Sequence, residues 1–410
     1  MALQLPPLLR QTRTPLFPLS RLGGIARYHD YIRFSAPNGS ARIPLNSSKV
    51  IGVANSRGER GYQEDFYACS ALSLDPEELR LSLKKAHHID WDPSALPPAL
   101  ARQVLFAGVY DGHGGSTVSQ FLRQELHGLF ENVHKSQIPE LYEWTLELGG
   151  YFRRWRGGAL APWIDPDAPS AQSELDLEAR ATLAFFEVDK ALFGEHAARD
   201  CGATASVVLL QCLDNPVTPF FTAQKVALTV AHVGDTRVLL TSTKNGDVMP
   251  MTENHHVDAR VEATRLRRMM GSGQSMDSFG ETRWMGALAN TRSLGDLKYK
   301  RFGVTPEPEV RTKLLNGPEY SHITLLSDGI SSVCSDQEIS DLVRGCPTPE
   351  YAAKRILRYA EDMGSDDNLT AIVVPLAGWG GMTGEDRTRD LRQYRRKQME
   401  GSERHKPRWM

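Results

Sequence analysis

The chain has 410 residues, of which 40% are hydrophobic and 24% are charged. These proportions are typical of a globular protein and exclude collagen-like, fully disordered and disulfide-scaffold chains. Lys and Arg number 48 against 50 Asp and Glu, a formal net charge of -2. This balance predicts no nucleic-acid partner. No apolar run approaches the roughly 18 residues of a membrane-spanning helix, so we also expect no membrane span.

The charge is unevenly distributed along the chain. Residues 1–49 carry seven basic side chains and one acid, and residues 379–410 carry nine basic and five acidic ones, so the middle is acidic. The start is acid-free up to Asp30 and contains spaced arginines, a composition typical of a mitochondrial transit peptide. We therefore predict a transit peptide at 1–35 and a location in the mitochondrial matrix. A disordered basic tail is the alternative, because four prolines interrupt this segment.

Beyond the start, the length allows two or three domains, or one large domain with additions. Apolar runs of strand length lie at 50–54, 104–110, 204–210, 226–233, 237–241, 323–326 and 369–374. Helical periodicity lies at 116–135, 336–343 and 349–362. A Pro-rich segment at about 72–100 and a Trp-rich segment at about 136–180 are interpreted as insertions. The Trp-rich insertion either packs on its own domain or binds a partner. Residues 379–410 contain few apolar side chains, and we expect a basic, flexible tail there.

Three aspartates follow predicted strands, each beside a glycine: Asp111, Asp235 and Asp328. Gathering unpaired carboxylates in a folded protein is costly unless a cation neutralises them. A set of oxygen ligands without Cys or His favours Mg²⁺ or Mn²⁺ over zinc. Each Asp-Gly pair alone is also an ordinary turn signal, so only the set indicates a metal site.

Seven motifs then carry a resemblance to a known family. They lie at 59–65 (ERGYQED), 110–115 (YDGHGG), 201–205 (CGATA), 232–237 (HVGDTR), 291–296 (TRSLGD), 326–329 (LSDG) and 364–370 (GSDDNLT). In this order they resemble the type 2C (PPM) metal-dependent protein serine/threonine phosphatases, in particular the fungal mitochondrial members. The resemblance covers residues from about 50 to 376 and implies a single phosphatase domain at 36–378.

The resemblance implies an α+β fold, a four-layer α-β-β-α sandwich of two mostly antiparallel sheets flanked by helices, with a dimetal site at one end. Asp111 resembles the carboxylate that bridges two Mg²⁺ or Mn²⁺ ions, with the Gly112 carbonyl on one of them. The other implied ligands are Glu64 and Asp65 for the second ion, and Asp328 and Asp367 for the first.

The implied reaction is hydrolysis of phosphoserine and phosphothreonine by a water that bridges the two metals. Two ions roughly 3.5–4 Å apart lower the pKa of such a water from about 15.7 toward about 7. Arg60 matches the family's phosphate-binding arginine, whose planar fork suits two phosphate oxygens. His113 matches the histidine that protonates the leaving oxygen. If the family resemblance is set aside, the sequence predicts only that Arg60 is a surface ion-pair partner and that His113 is a turn residue.

Two departures from the family pattern affect the expected details. Ser332 stands where the family often has an acid that helps to bind a third, weaker ion with the equivalents of Asp235 and Asp328, which leaves occupancy of that third site open. The flap, from His255 to about Asn290, is rich in Arg and Met, which indicates altered substrate recognition.

The sequence thus predicts a monomeric phosphatase acting on matrix phosphoproteins, with the pyruvate dehydrogenase complex as one candidate. The competing hypothesis is a pseudophosphatase that binds phosphoproteins or scaffolds an assembly without hydrolysis. It requires lost metal ligands, and only the third-metal acid is missing.

Overall fold

A computed structural model describes residues 29–270, 274–276 and 282–400 of the chain. Its strands are β1 (Tyr31–Ala36), β2 (Gly39–Pro44), β3 (Gly52–Ser56), β4 (Phe66–Ser73), β5 (Gln103–His113), β6 (Gly202–Cys212), β7 (Lys225–Val233), β8 (Arg237–Ser242), β9 (Val248–Pro250), β10 (Gln274–Met276), β11 (Thr282–Trp284), β12 (Leu294–Gly295), β13 (Glu309–Asn316), β14 (Tyr320–Leu326) and β15 (Leu369–Pro375). Its α-helices are α1 (Pro76–His87), α2 (Pro98–Ala101), α3 (Thr117–Phe121), α4 (His127–Asn132), α5 (Ile138–Leu148), α6 (Leu177–Leu192), α7 (Arg260–Met270), α8 (Leu297–Lys300), α9 (Asp328–Ser331), α10 (Asp336–Val343), α11 (Pro349–Asp362) and α12 (Arg389–Glu400).

Within these residues the strands form two large antiparallel sheets. The first has the order β13-β7-β6-β5-β4, with β12 also paired to β6, and the second has the order β3-β15-β14-β8-β9. Two separate hairpins, β1-β2 and β10-β11, complete the strand pairing. All seven predicted strands are confirmed, as β3, β5, β6, β7, β8, β14 and β15.

The layering follows from the alternation of side chains along each strand. In β5, Leu105 and Ala107 belong to the core between the sheets, whereas Val104 and Phe106 belong to the core beneath the helices. Neighbouring side chains of a strand point to opposite faces, so a strand that is apolar on both faces must be covered on both sides.

The second sheet repeats this arrangement. Ile372 and Val374 of β15 face the core between the sheets, and Ala371 and Val373 pack with α10 and α11. Both of these helices have the predicted bounds. The fold is therefore the expected α-β-β-α sandwich.

Helices α3, α4 and α6 cover the first sheet. The predicted helix at 116–135 is present as α3 and α4, joined by a π-helical turn at Leu122–Leu126. Helix α6 is buried almost all round, and the insertion before it packs onto α6 with its aromatic rings. Trp155 stacks on Phe186 at 4.6 Å between ring centroids. Packing on its own domain thus accounts for the buried tryptophans of this segment.

The start of the folded domain differs from the expected boundary at residue 36. The β1-β2 hairpin packs on the body of the protein: Ile32 is buried in the core between the sheets, and the Ser35 N–H donates to the Val217 carbonyl at 2.8 Å. A transit peptide ending at residue 35 would remove nearly all of β1. The domain begins no later than His29, which pairs with Ala71, and residues 1–28 lie outside the described part.

The expectation of a flexible tail is wrong for residues 389–400. They form α12, whose Arg395 binds both carboxylate oxygens of Glu338 at 2.7 and 2.8 Å and donates to the Val333 carbonyl. Arg392 is buried and pairs with Asp386. Basic side chains attach this helix through carboxylates on neighbouring segments, so a low apolar content did not indicate an unstructured tail. Residues 401–410 lie outside the described part.

In the described ranges, no helix has both the length and the apolar composition that crossing a membrane requires.

Candidate metal and phosphate site

Three of the predicted metal-binding carboxylates lie together where the two sheets meet. Asp111 is near the end of β5 in the first sheet, Asp328 begins α9 just after β14 of the second, and Asp235 lies in the turn between β7 and β8. One carboxylate oxygen from each lies within 4.8 Å of the others. The Asp328 N–H also donates to Asp111 Oδ2 at 3.2 Å. The sandwich thus brings together acids that are up to 217 residues apart.

Asp65 joins this group from the residue just before β4. It is 2% exposed, and its Oδ2 accepts a hydrogen bond from Thr370 Oγ1 of β15 at 2.8 Å. Burial is the main reason that its pKa is raised, to about 6, and the charge of Asp367 raises the pKa further. Asp65 therefore belongs to the same electrostatic cluster as Asp111 and Asp328.

The electrostatics of the cluster fit a divalent cation. Burial raises the pKa of Asp328 to about 7, and it raises the pKa of Asp111 well above its usual range, with the neighbouring carboxylates adding to both shifts. Among the described residues, neither these two nor Asp65 and Asp235 form an ion pair with a basic side chain. An oxygen-only set with uncompensated negative charge is suited to a hard ion such as Mg²⁺ or Mn²⁺.

Glu64 and Gly112 are held against each other beside this cluster. The Glu64 N–H donates to Asn368 Oδ1 at 2.6 Å, and the Glu64 carbonyl accepts from Ser119 Oγ at 2.6 Å. A Cβ atom on Gly112 would lie 2.5 Å from that carbonyl oxygen, so only glycine allows β5 to approach this closely. The Glu64 side chain is outside the three-carboxylate group, and the metal-binding roles of Glu64 and Gly112 stay predictions.

Asp367 and Arg60 contact each other at the edge of the cluster. Arg60 Nη2 lies 2.7 Å from Asp367 Oδ2, and their side chains are 54% and 35% exposed. The charge of Asp367 contributes to the raised pKa of both Asp65 and Asp328. The predicted phosphate-binding arginine is thus at the solvent side of the predicted metal ligands, where a ligand from solution can reach it.

His113 forms a pair with Asp296 on the other side of the site. His113 Nε2 lies 2.8 Å from Asp296 Oδ2, which also accepts from Ser293 Oγ at 2.6 Å. Burial lowers the pKa of His113, but the adjacent Asp296 charge outweighs it, and the net shift of that pKa is upward. A Cβ on Gly202 would lie 2.3 Å from Asp296 Oδ2 and 2.8 Å from His113 Nε2, so glycine is required here too.

Comparison with known proteins identifies the family. The sequence profile described as Protein phosphatase 2C matches residues 77–369. Protein phosphatase 2C homolog 4 of Schizosaccharomyces pombe is 30% identical over 375 residues, which cover 89% of this chain and 91% of that protein. The mitochondrial protein phosphatase 1K of Xenopus laevis is 30% identical over 82% of this chain and 70% of its own length. The chain belongs to the protein phosphatase 2C family.

A solved structure agrees with this placement at the level of fold. A Toxoplasma gondii phosphatase superposes with a TM-score of 0.53 at 18% identity, over 80% of this chain and 96% of that one. As a protein phosphatase 2C, the protein is a metal-dependent serine/threonine phosphatase and hence a hydrolase, and members of the family depend on Mg²⁺ or Mn²⁺.

Three residues organise this phosphatase 2C site through contacts that the sequence did not predict. Asn368 donates to the carbonyls of Arg57 and Tyr62 at 2.8 and 3.0 Å, so its amide fastens the loop that carries Arg60. Asn290 Nδ2 donates to Asp235 Oδ2 at 2.7 Å, and Asp296 contacts His113. Asn368 lies in the motif GSDDNLT and Asp296 in TRSLGD, and these motifs were the available signals, whereas nothing in the sequence singled out Asn290.

Ser332 lies one helical turn after Asp328, and its backbone N–H donates to the Asp328 carbonyl at 2.8 Å. It is exposed, and its hydroxyl contacts only the Gly329 carbonyl, at 3.5 Å, among described residues. The place where the family often has a second acid thus offers no carboxylate to an ion near Asp235.

Proposed function

We propose that this protein hydrolyses phosphoserine and phosphothreonine in proteins with two divalent ions, one held by Asp111, Asp328 and Asp367, the other by Asp111 with Asp65, Glu64 and the Gly112 carbonyl. The observation that carries the proposal is the convergence of Asp111, Asp235 and Asp328 within 4.8 Å without a basic partner among the described residues. Ions bound there would neutralise the phosphate and activate a water for in-line attack on phosphorus.

Arg60 binds the phosphate group in this proposal. Its guanidinium is tied to Asp367 by one nitrogen and is half exposed, so its remaining N–H groups are available to phosphate oxygens. A planar guanidinium fork matches two oxygens of one phosphate group better than an ammonium does. Arg60 thereby orients the phosphorus toward the carboxylate cluster.

His113 donates the proton to the leaving serine or threonine oxygen. The upward shift of its pKa keeps the imidazolium form available near neutral pH, where a general acid is needed. Asp296 accepts from the imidazole and fixes the direction of the ring. An alkoxide is a poor leaving group, so protonation matters most for the natural substrates.

The test measures phosphate release from a phosphothreonine peptide by the full chain in Mn²⁺, with and without EDTA. We expect activity that EDTA and Asp111→Asn abolish and that Asp167→Asn, the same change at an exposed aspartate of the insertion, leaves intact. Activity that survives chelation or Asp111→Asn would overturn the proposal. A phosphopeptide that binds but is never hydrolysed would favour the pseudophosphatase instead.

A third ion is proposed to bind weakly through Asp235 and Asp328. Ser332 contributes no carboxylate, so this site has one acid fewer than the family pattern. Ser332→Asp is expected to lower the Mn²⁺ concentration that gives half-maximal activity, and an unchanged value would argue against a third ion at this place.

We further propose that the protein acts in the mitochondrial matrix after loss of a basic leader. The arginine-rich, acid-poor start and relatives named as mitochondrial in Xenopus laevis and rice support this location. Because β1 is part of the fold, cleavage should occur before His29. Fusion of residues 1–40 to a fluorescent reporter should give mitochondrial fluorescence, and a diffuse cytosolic signal would refute the location.

Matrix phosphoproteins, with the pyruvate dehydrogenase complex as one candidate, are the proposed substrates. Comparing mitochondrial phosphopeptides with and without the gene should reveal those that accumulate in its absence. Unchanged phosphorylation of that complex would remove it as a candidate.

A further inference from the structure

An arginine-lined cleft lies outside the catalytic site, between the Trp-rich insertion and helix α7. Its volume is about 860 Å³, and it is open to solvent. Tyr151, Trp155 and Glu307 form part of its lining, together with arginines from both sides. We call this feature the arginine cleft.

Positive charge dominates the arginine cleft. Five arginines line it, Arg154 and Arg156 from the insertion and Arg260, Arg265 and Arg268 from α7, against the single carboxylate of Glu307. Arg265 is already bound to Glu262. Arg156, Arg260 and Arg268 are exposed, and none of them forms an ion pair with a described carboxylate.

The spacing on α7 indicates an extended ligand. Arg260, Thr264 and Arg268 follow each other at intervals of four residues, so they lie on one face of the helix. The two arginines are about 12 Å apart along the axis at a rise of 1.5 Å per residue. An extended peptide rises about 3.3 Å per residue, so a segment of about four residues would span both.

The lining favours a peptide over a nucleic acid. Single-stranded nucleic acids bind on exposed aromatic rings that stack with bases. The rings of Tyr151 and Trp155 are 3% and 5% exposed, and Trp155 Nε1 donates to Glu307. The cleft thus presents guanidinium groups without a stacking surface, which suits carboxylates.

The arginine cleft and the catalytic site lie on two sides of one chain segment, 290–296. On the cleft side, Arg265 Nη2 donates to the Thr291 carbonyl at 3.1 Å. On the site side, Asn290 binds Asp235 and Asp296 binds His113. A substrate whose phosphate is at the catalytic site could therefore reach the cleft with a neighbouring part of its chain.

We propose that the arginine cleft binds an acidic segment of the phosphoprotein substrate, about four Asp or Glu residues long, at some distance in sequence from the phosphorylated residue. The proposal rests on the proposed phosphatase function for its substrate, but binding at the cleft is measurable without catalysis. Contacts with solvent-exposed guanidinium groups are screened by salt, so the preference should weaken as ionic strength rises.

The first experiment measures binding by fluorescence anisotropy, with the full chain and two labelled, unphosphorylated peptides. One carries Glu-Asp-Glu-Asp, and the other carries the corresponding amides. We expect the acidic peptide to bind about tenfold more tightly, a factor equivalent to about 1.4 kcal/mol. The double variant Arg260→Gln/Arg268→Gln should lose this preference. The matched control, Arg102→Gln/Arg358→Gln, removes two exposed arginines elsewhere and should retain it.

Equal binding of the two peptides, or equal loss of the preference in both double variants, would overturn the proposal.

The second experiment adds a phosphothreonine at varied distances from the four acidic residues of the peptide and measures kcat/KM in Mn²⁺. We expect a lower KM for the acidic peptide, abolished by Arg260→Gln/Arg268→Gln, with hydrolysis of p-nitrophenyl phosphate unchanged. Tight binding without hydrolysis of any peptide would overturn the proposed function alone, whereas hydrolysis without preference would overturn the cleft proposal alone.

Discussion

The proposed catalytic cluster, which comprises Asp65, Asp111, Asp235 and Asp328, and the flap treat buried carboxylates in opposite ways. In the flap cluster, which comprises Glu262, Arg265 and Arg292, the glutamate is 1% exposed and receives hydrogen bonds from both guanidinium groups. Burial alone would raise the pKa of Glu262, but the two arginines hold it well below its usual range. In the catalytic cluster the pKa of Asp111 and Asp328 is raised, and no described basic side chain compensates them.

This difference shows which acids serve the fold and which serve a ligand. A buried charge that the protein itself neutralises is a structural element, whereas a group of buried charges without a partner lowers stability unless something else binds. Under the proposed function, the carboxylate cluster is the part of the molecule in which stability is given up for metal binding.

The largest effect is expected for Asp111→Asn. Loss of the central carboxylate should lower kcat/KM for a phosphothreonine peptide by about 10⁴-fold, because the activated water is lost. In EDTA the same variant should unfold at an equal or higher temperature than the wild type, since one source of like-charge repulsion is removed. A marked fall in the melting temperature of the metal-free variant would place Asp111 with the structural acids.

Glu262→Gln should have the reverse profile. It leaves two buried or half-buried guanidinium groups without their carboxylate, and breaking a buried pair in this way typically costs about 3–5 kcal/mol. Urea unfolding should show this loss, while Glu253→Gln, the same change at an exposed partner of Arg311, should have a much smaller effect. Similar stabilities for the two variants would contradict the structural role of the flap cluster.

Asp296 is an intermediate case, a buried carboxylate that is paired but lies beside the site. Burial raises the pKa of Asp296, yet His113 and Ser293 hold it below its ordinary value. If Asp296 positions His113, Asp296→Asn should lower kcat about 100-fold on a phosphothreonine peptide and far less on p-nitrophenyl phosphate, whose leaving group needs no proton.

Circular dichroism and the melting temperature of Asp296→Asn provide the control for folding. An equal loss of kcat on both substrates would mean that Asp296 acts only through the structure of the site.

The core of the fold was predictable because its strands are apolar on both faces. Both faces of β5 and β15 are covered, so they appear in the sequence as continuous apolar runs. Edge strand β13 (EVRTKLLN) was missed because only one of its eight residues is buried. Helix α6 was missed for the opposite reason: it is buried almost all round and lacks the polar face that reveals an amphipathic helix.

The site was predictable to the extent that its residues lie in short motifs. Asp111, Asp235 and Asp328 were found because each follows an apolar run that predicts a strand, and strand ends of a sandwich gather at its edges. The partnerships were not predictable. The Asp296 contact with His113 joins residues 183 positions apart, and Asn290 meets Asp235 from a loop without any regular pattern.

The smallest effect concerns His322, a buried ionisable group that has no ionic partner among the described residues and stays neutral. Burial lowers the pKa of His322 from 6.5 to about 3, and its ring packs against Trp379 at 5.9 Å. The unfolded chain binds a proton between pH 6.5 and 3 that the folded protein does not bind, so stability falls as the pH drops through 6.5. At pH 5 the loss from this residue should be about 2 kcal/mol.

Urea unfolding of the metal-free protein at pH 7 and pH 5 checks this value through His322→Phe, which keeps a ring and removes the titration. The difference in unfolding free energy between the two pH values should change by about 2 kcal/mol relative to the wild type. His196→Phe, the same substitution at an exposed position, is the control. The pKa values of Asp65 and Asp328 are raised to about 6 and about 7, so these acids bind protons on folding between pH 7 and pH 5. Their protonation opposes the loss of stability that His322 causes. Both acids are present in wild type and variant alike, so their contribution cancels in the comparison, and an unchanged difference would show that His322 is not held neutral.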